Sequence, residues 1–369
     1  MHLPPKPSQP VLLWLIALAA MCWAPFAAAT AAPQPLPPSI SEGLARGVNL
    51  VFGWYDTDSY KPREFDAELP LIRAAGAGHV RLPISMDIIE DRQSGTLRAD
   101  RWADLRAFVA EATKNQLVTI IDMHNTGQKN PDGSWNEDFM GGLRDPGLRQ
   151  RHLQLMTELA SRANKELDRN WIVLQPANEP IFKTDPQIWY DHQDQMIPAM
   201  RQACPDCVIF VAGHNWQAPA ASMSHLKPRM HPWWDARLIL DLHLYSPLQL
   251  THCSYPRQPN TCPGKTWPGS YAGQWLPVSG SRYFGRWNRK LLERELGILF
   301  AWAKDERITL HFSEIGTTAD LDDRIRGAYL QDLTSVLSDN RVGYSCYEWN
   351  KNFGIKDHPT TLKACLAER

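Results

Sequence analysis

Short apolar runs alternate along the chain with longer stretches in which apolar residues recur every three to four positions. The short runs are "GVNLVF" (47–52), "HVRLPI" (79–84), "LVTIIDMH" (117–124), "WIVLQPA" (171–177), "CVIFVAG" (207–213), "RLILDLHLY" (237–245), "ITLHFSE" (308–314) and "VGYSCYEW" (342–349). Many are too apolar to alternate, as expected of parallel strands buried on both faces. Helical periodicity fills the spaces between them: 64–77, with Phe65, Leu69, Ile72 and Ala75 on one face, 100–116 with an aspartate at its cap, 145–167 with Asp145 before proline, and 185–203. A vaguer helix follows at 218–226, then 286–306, 321–340 and a weak one at 360–367. Eight such units of about 40 residues predict an α/β fold, a single-domain (β/α)8 TIM barrel over residues 43–369. A doubly wound open sheet is the rival, but no Gly-rich phosphate loop follows the first strand and eight units exceed its usual count. The irregular stretch 246–285, rich in Pro, Gly, Trp and Tyr, reads as an ordered functional loop.

The N-terminus adds a targeting segment. Lys6, the apolar run Val11–Met21 and the small residues of "APFAAATAAP" have the order of a secretory signal, so 1–32 is read as a signal peptide cleaved near Ala29–Ala32. A membrane-spanning helix needs roughly 20 apolar residues, more than this run supplies. Met21 is too large to precede a lipidated Cys22. The proline-rich 33–42 reads as an extended stub, and the mature protein as secreted or periplasmic. Loss of the signal leaves six of the seven cysteines, an even number suited to disulfides in an exported chain. The sequence-local pairing is Cys204–Cys207, Cys253–Cys262 and Cys346–Cys365, one of fifteen arrangements. "CPDC" could instead be a redox or zinc motif, but no second ligand pair lies at zinc spacing. A net charge of -1 argues against nucleic acid or an anionic membrane as partner, and a monomer is expected. The 15 tryptophans exceed what a core needs and point to a surface for something flat and apolar-faced.

In a (β/α)8 barrel the active site gathers at the C-terminal ends of the strands. Those ends carry Arg81, His124, Asn178, Glu179, His243, Tyr245, Glu314 and Trp349. Each alone has a plain explanation, as ion pair, core histidine or core filler; their shared position is what marks them. In "VLQPANEPIF", Pro180 should hold Glu179 extended at the end of the fourth strand. Glu179 and Glu314, on the fourth and seventh strands, should face each other across the mouth. Two carboxylates on one cleft, with no ligand set for a metal, are the equipment for glycoside hydrolysis. Their repulsion separates their protonation. No metal or cofactor is expected.

These residues stand in "NEP" (178–180), "SEIG" (313–316), "RLP" (81–83) and "HLY" (243–245), with Trp349 closing the series. In that order the chain resembles glycoside hydrolase family 5, within the retaining (β/α)8 hydrolases of clan A, from about Gly47 to Trp349. The resemblance implies a cellulase-like endo-β-1,4-glucanase with Glu179 as acid/base and Glu314 as nucleophile. It further implies that Asn178 bonds the sugar 2-hydroxyl, that Arg81 and Tyr245 orient Glu314, that His124 and His243 bind sugar hydroxyls, and that Trp349 floors the reacting sugar. The partner is then a polysaccharide or oligosaccharide substrate. Trp54, Trp135, Trp189, Trp216, Trp267 and Trp275 lie in regions that could reach the mouth. The loops "GHNWQAPAASM" and 246–285 match no subfamily pattern, so a β-mannan or an exopolysaccharide is an alternative substrate. A non-catalytic carbohydrate-binding barrel and a metal-dependent hydrolase using His124 and His243 are the readings from other classes.

Overall fold

The computed structural model describes residues 35–367 except 52, 56, 58, 59, 127–139, 183 and 255–261. Eight strands close into a barrel: β1 (Arg46–Asn49), β2 (His79–Ser85), β3 (Val118–Asn125), β4 (Ile172–Gln175), β5 (Val208–Ala212), β6 (Leu238–Leu244), β7 (Thr309–Ile315) and β8 (Gly343–Cys346). Every neighbouring pair is parallel, and β8 returns to β1 through Arg46 beside Tyr344 and Val48 beside Cys346. The eight-strand alternation therefore forms the expected ring. The helices that follow the strands are α1 (Leu69–Ala74), α2 (Ala99–Lys114), α3 (Pro146–Glu166), α4 (Gln187–Ala203), α5 (Pro219–His225), α6 (Arg289–Glu306), α7 (Asp323–Asp339) and α8 (Pro359–Leu366). No helix among the described residues is long and apolar enough to cross a membrane.

Side chains alternate across a strand, so residues two apart share a face. On β3 that face reads Val118, Ile120, Asp122, His124; on β6 it reads Ile239, Asp241, His243. The lower members, Val118, Ile120, Val173, Val208, Phe210 and Ile239, form one buried cluster inside the barrel. Ile40 and Leu44 complete this cluster. The upper members are polar. Each inward face thus changes from apolar to polar toward the C-terminal end of its strand, and this gradient positions the site.

Several expectations need correction. The proline-rich stub is not extended throughout, because Pro38–Gly43 is a helix whose first-turn proline needs no N–H partner. The cap of α2 is Arg98, without a side-chain bond, and Asp100 sits in its first turn. Asp145 does cap α3, accepting from the Leu148 N–H at 2.7 Å. β8 stops at Cys346, three residues before Trp349. Disulfides join Cys204 to Cys207, Cys253 to Cys262 and Cys346 to Cys365, which leaves none of the six for a metal or a thiol reaction. The signal segment 1–32 lies outside the described residues.

Candidate active site

Arg81, fully buried on β2, is the centre of the polar layer. Its Nη1 donates to Asn49 Oδ1 at 2.8 Å and to Glu314 Oε1 at 2.6 Å. Its Nε donates to Gln175 Oε1 at 2.8 Å, and its Nη2 reaches Asn178 Oδ1 at 2.6 Å and Asp122 Oδ2 at 2.9 Å. A guanidinium has five N–H donors in a fixed fork. Here they are shared among residues from β1, β3, β4 and β7. Burial would weaken the cation, but Asp122, Glu314 and Asp241 outweigh it and raise its pKa.

The other Glu314 oxygen accepts from Tyr245 Oη at 2.9 Å. Burial would raise the Glu314 carboxyl; the charges of His243 and Arg81 and the Tyr245 hydroxyl overcome it and hold the group well below the usual carboxylate range. β7 reaches this position through a register shift between Phe312 and Glu314. A bulge of this kind re-aims side chains. It lets consecutive residues, Ser313 and Glu314, both enter the polar layer.

Glu179 is not extended: its φ is 45°, in the left-handed region. Pro180 disfavours only the right-handed helical conformation, and the Glu179 N–H is fixed by Gln217 Oε1 at 2.7 Å. Gln217 ends a left-handed run, Asn215, Trp216 and Gln217, with φ of 58°, 57° and 52°. Such backbone costs on the order of 1–3 kcal/mol per residue and persists only where its surroundings impose it. Glu179 Oε1 faces His243 Nδ1 at 2.8 Å, and Glu314 Oε2 lies 3.6 Å from the same nitrogen. The imidazole is buried, which opposes its charge, yet Glu314, Glu179 and Asp241 raise its pKa. Glu179, His243 and Glu314 are the one group of three ligand-type side chains among the described residues, with donor atoms all within 4.8 Å of one another. Their side chains are 13%, 2% and 7% exposed, so the two carboxylates meet solvent at the mouth.

His124 Nδ1 lies 2.7 Å from Asp122 Oδ2, and its Nε2 is 3.3 Å from Asn178 Nδ2. Since the Asn178 amide nitrogen can only donate, Nε2 accepts and Nδ1 carries the proton. Trp349 is placed elsewhere. It is 2% exposed, and its indole N–H donates to Glu68 Oε2 at 2.8 Å, so it has no free face. The aromatic at the end of β8 is Tyr347, half-buried, with its ring 6.5 Å from that of Tyr245. Trp54, Trp189 and Trp267 belong to the core, Trp135 lies outside the described residues, and Trp216 and Trp275 are exposed. Beside Glu314 the buried Glu348 has one oxygen without a partner, and burial pushes its carboxyl up to about 8.

Polar residues of this layer that were missed include Asn49, Asp122, Gln175, Gln217, Asp241 and Ser313. The signal was present for two of them, because β3 and β6 both read D-x-H, with a carboxylate two residues before the strand-end histidine. Such a charge inside an apolar strand shares the histidine's face.

A closed parallel barrel carrying one glutamate beyond β4 and another on β7, at one mouth and within reach of one histidine, defines the (β/α)8 glycoside hydrolases. The profile Cellulase (glycosyl hydrolase family 5) matches residues 44–353, and the chain belongs to that family of retaining hydrolases. Endoglucanase C of Acetivibrio thermocellus is 24% identical over 327 residues, 83% of this chain and 91% of that protein. Cellodextrinase A of Ruminococcus flavefaciens is 26% identical over 230 residues, 61% of this chain and 65% of that protein. Among solved structures, endoglucanase Cel5A of Thermotoga maritima superposes with a TM-score of 0.70 at 18% identity, covering 89% of this chain and 99% of that one. Cellulose synthase subunit Z of Clostridioides difficile gives 0.70 at 17%, covering 88% and 99%.

Proposed function

We propose that this protein is an exported endo-β-1,4-glucanase in which Glu314 attacks the anomeric carbon and Glu179 serves as acid/base. The observation that carries the reading is the unlike company of two adjacent carboxylates. Glu314 is clamped as an anion by Arg81 and Tyr245, whereas Glu179 faces a single imidazole. Retaining enzymes hold their carboxyl groups about 5–5.5 Å apart. The separation here, within 4.8 Å between oxygens, suits attack by a carboxylate and falls short of the roughly 6.5–9.5 Å of inverting enzymes.

In the first step Glu314 forms a bond to C1 as the glycosidic C–O bond breaks and Glu179 gives its proton to the leaving oxygen. In the second, water yields a proton to Glu179 and attacks C1, releasing Glu314. Asn178 uses one amide hydrogen toward His124 and keeps the other for the sugar 2-hydroxyl. Tyr347 takes the floor position that the sequence suggested for Trp349. Trp216 and Trp275 are exposed on the loops after β5 and β6, and Arg282 covers one face of the Trp275 ring at 4.7 Å. Export rests on the order of charged, apolar and small residues in 1–32, with three disulfides in support.

A β-mannanase is the second reading. The mannan endo-1,4-β-mannosidase of Streptomyces lividans is 21% identical over 210 residues, and Thermotoga maritima Cel5A has been crystallised with mannotriose. Carboxymethyl-cellulose, mixed-linkage glucan and galactomannan should be compared by viscosity and reducing ends, with NMR of the first-formed product. Rapid viscosity loss on the glucans and an initial β anomer are expected. Preference for galactomannan would favour the second reading, and an initial α anomer would overturn retention.

A further inference from the structure

We propose that Asp241, in the middle of β6, is a positioning residue that sets the proton on Glu179 through the hydrogen-bond chain Asp241–Ser313–His243–Glu179. The inference rests on the reading of Glu179 as acid/base. Asp241 is fully buried, and both of its oxygens are engaged. Oδ2 accepts from Ser313 Oγ at 2.9 Å, Gln175 Nε2 at 2.8 Å and Gln217 Nε2 at 2.6 Å, while Oδ1 accepts from the Ser313 N–H at 3.2 Å. The two amides cannot turn round. Gln175 Oε1 already accepts from Arg81, and Gln217 Oε1 from the Glu179 N–H. Asp241 therefore meets three fixed N–H donors, which favour its charged form. The charged groups facing it are Arg81 from β2 and His243 on its own strand, with Asp122 and Glu314 on Arg81 beyond. Burial raises the Asp241 carboxyl to about 6 against the pull of His243 and Arg81, so it is ionised at neutral pH.

An ionised Asp241 dictates the direction of the chain. Ser313 must donate its hydroxyl hydrogen to Asp241, which turns its lone pairs toward His243 Nε2 at 3.0 Å. Nε2 must then carry a hydrogen, and Nδ1 is left as the atom that shares a proton with Glu179 Oε1. Gln217 adds a second connection from the same carboxylate, to the backbone of Glu179. Gln175 adds a third, through Arg81 to Glu314. One buried carboxylate thereby keeps both reacting glutamates in register and fixes which imidazole nitrogen faces the acid/base.

The test is the pH dependence of kcat/KM for Asp241→Asn and Ser313→Ala. It uses an oligosaccharide of the preferred polymer and the aryl glycoside of the same sugar with a good leaving group. Both changes remove support for the His243 cation, so the alkaline limb should move down by about half a pH unit or more. Turnover of the oligosaccharide should fall about tenfold or more, with a smaller loss on the aryl glycoside, whose leaving group needs no proton. Ser313→Ala leaves the Asp241 charge and its glutamine contacts in place, and it decides the matter alone if Asp241→Asn does not fold. Unchanged limbs with equal losses on both substrates would reduce Asp241 to a structural role. Glu179→Ala and Glu314→Ala are measured alongside. If those two keep wild-type turnover of the oligosaccharide, the active-site reading itself fails. If they lose it while the limbs of Asp241→Asn and Ser313→Ala stay at wild-type values, only the role of Asp241 fails.

Discussion

Glu179 and Glu314 are the same residue type held by different partners, and under the proposed roles their substitutions should differ accordingly. If Glu314 is the nucleophile, Glu314→Ala should lose nearly all turnover on every substrate. Glu179→Ala should lose about 10²–10⁴-fold on oligosaccharides yet retain much of the first step on an aryl glycoside of low leaving-group pKa. It should accumulate the glycosyl-enzyme and be accelerated by azide, giving a β-glycosyl azide. Mass spectrometry of the trapped enzyme and NMR of the azide check both. Rescue of Glu314→Ala to the β-azide would reverse the roles. At this scale the strand-end residues were legible because polarity at the end of an apolar run has few other causes. Their supports were less so. Gln217 comes from a left-handed turn after β5, and no spacing rule predicts that a glutamine five residues past a strand folds back beneath Glu179. Trp349 was misread because its distance from the last strand residue cannot be judged until the strand end is known.

At the scale of elements, α3 and α4 meet the end of β4 through two histidines. His152 Nε2 lies 3.0 Å from the Pro176 carbonyl and so donates; its Nδ1 accepts from His192 Nε2 at 2.9 Å. Burial, with His192 adding to it, pushes His152 down to about 3; burial and the Arg149 charge push His192 down to about 4. The unfolded chain takes up these protons near 6.5. The folded state thus binds fewer protons below that pH, and stability is lost as pH falls from about 6.5 toward the folded values. Thermal unfolding followed from pH 7 to 4 should show a steeper fall in Tm for the wild type than for His192→Gln, whose amide can still donate to His152. Parallel curves would refute the assignment. The strands and long helices were readable from periodicity, most ends lying within a few residues of expectation. The bulge in β7 was not, because a register shift is a relation between two strands and leaves no mark in either one.

For the molecule as a whole, the fan of bonds around Arg81 has a consequence for folding. Its partners lie between Asn49 and Glu314, a span that includes most of the chain, and Asn49 itself donates to the carbonyl of Ser313. Cut between β4 and β5, the chain would yield one half-barrel with Arg81, Asp122, Asn178 and Glu179 and another with Asp241, His243, Tyr245 and Glu314. Each glutamate would be parted from partners it has in the ring, Glu179 from His243 and Gln217 and Glu314 from Arg81. Turnover is therefore a readout of ring closure. On dilution from denaturant with disulfides intact, tryptophan fluorescence should recover as local βα units collapse, and activity should return only with the slowest phase, since contacts distant in sequence form late. Activity appearing in the first phase would show that a partial barrel suffices. If it does not, closing the ring is itself the step that switches the chemistry on, and a chain stalled one unit short would carry both glutamates idle.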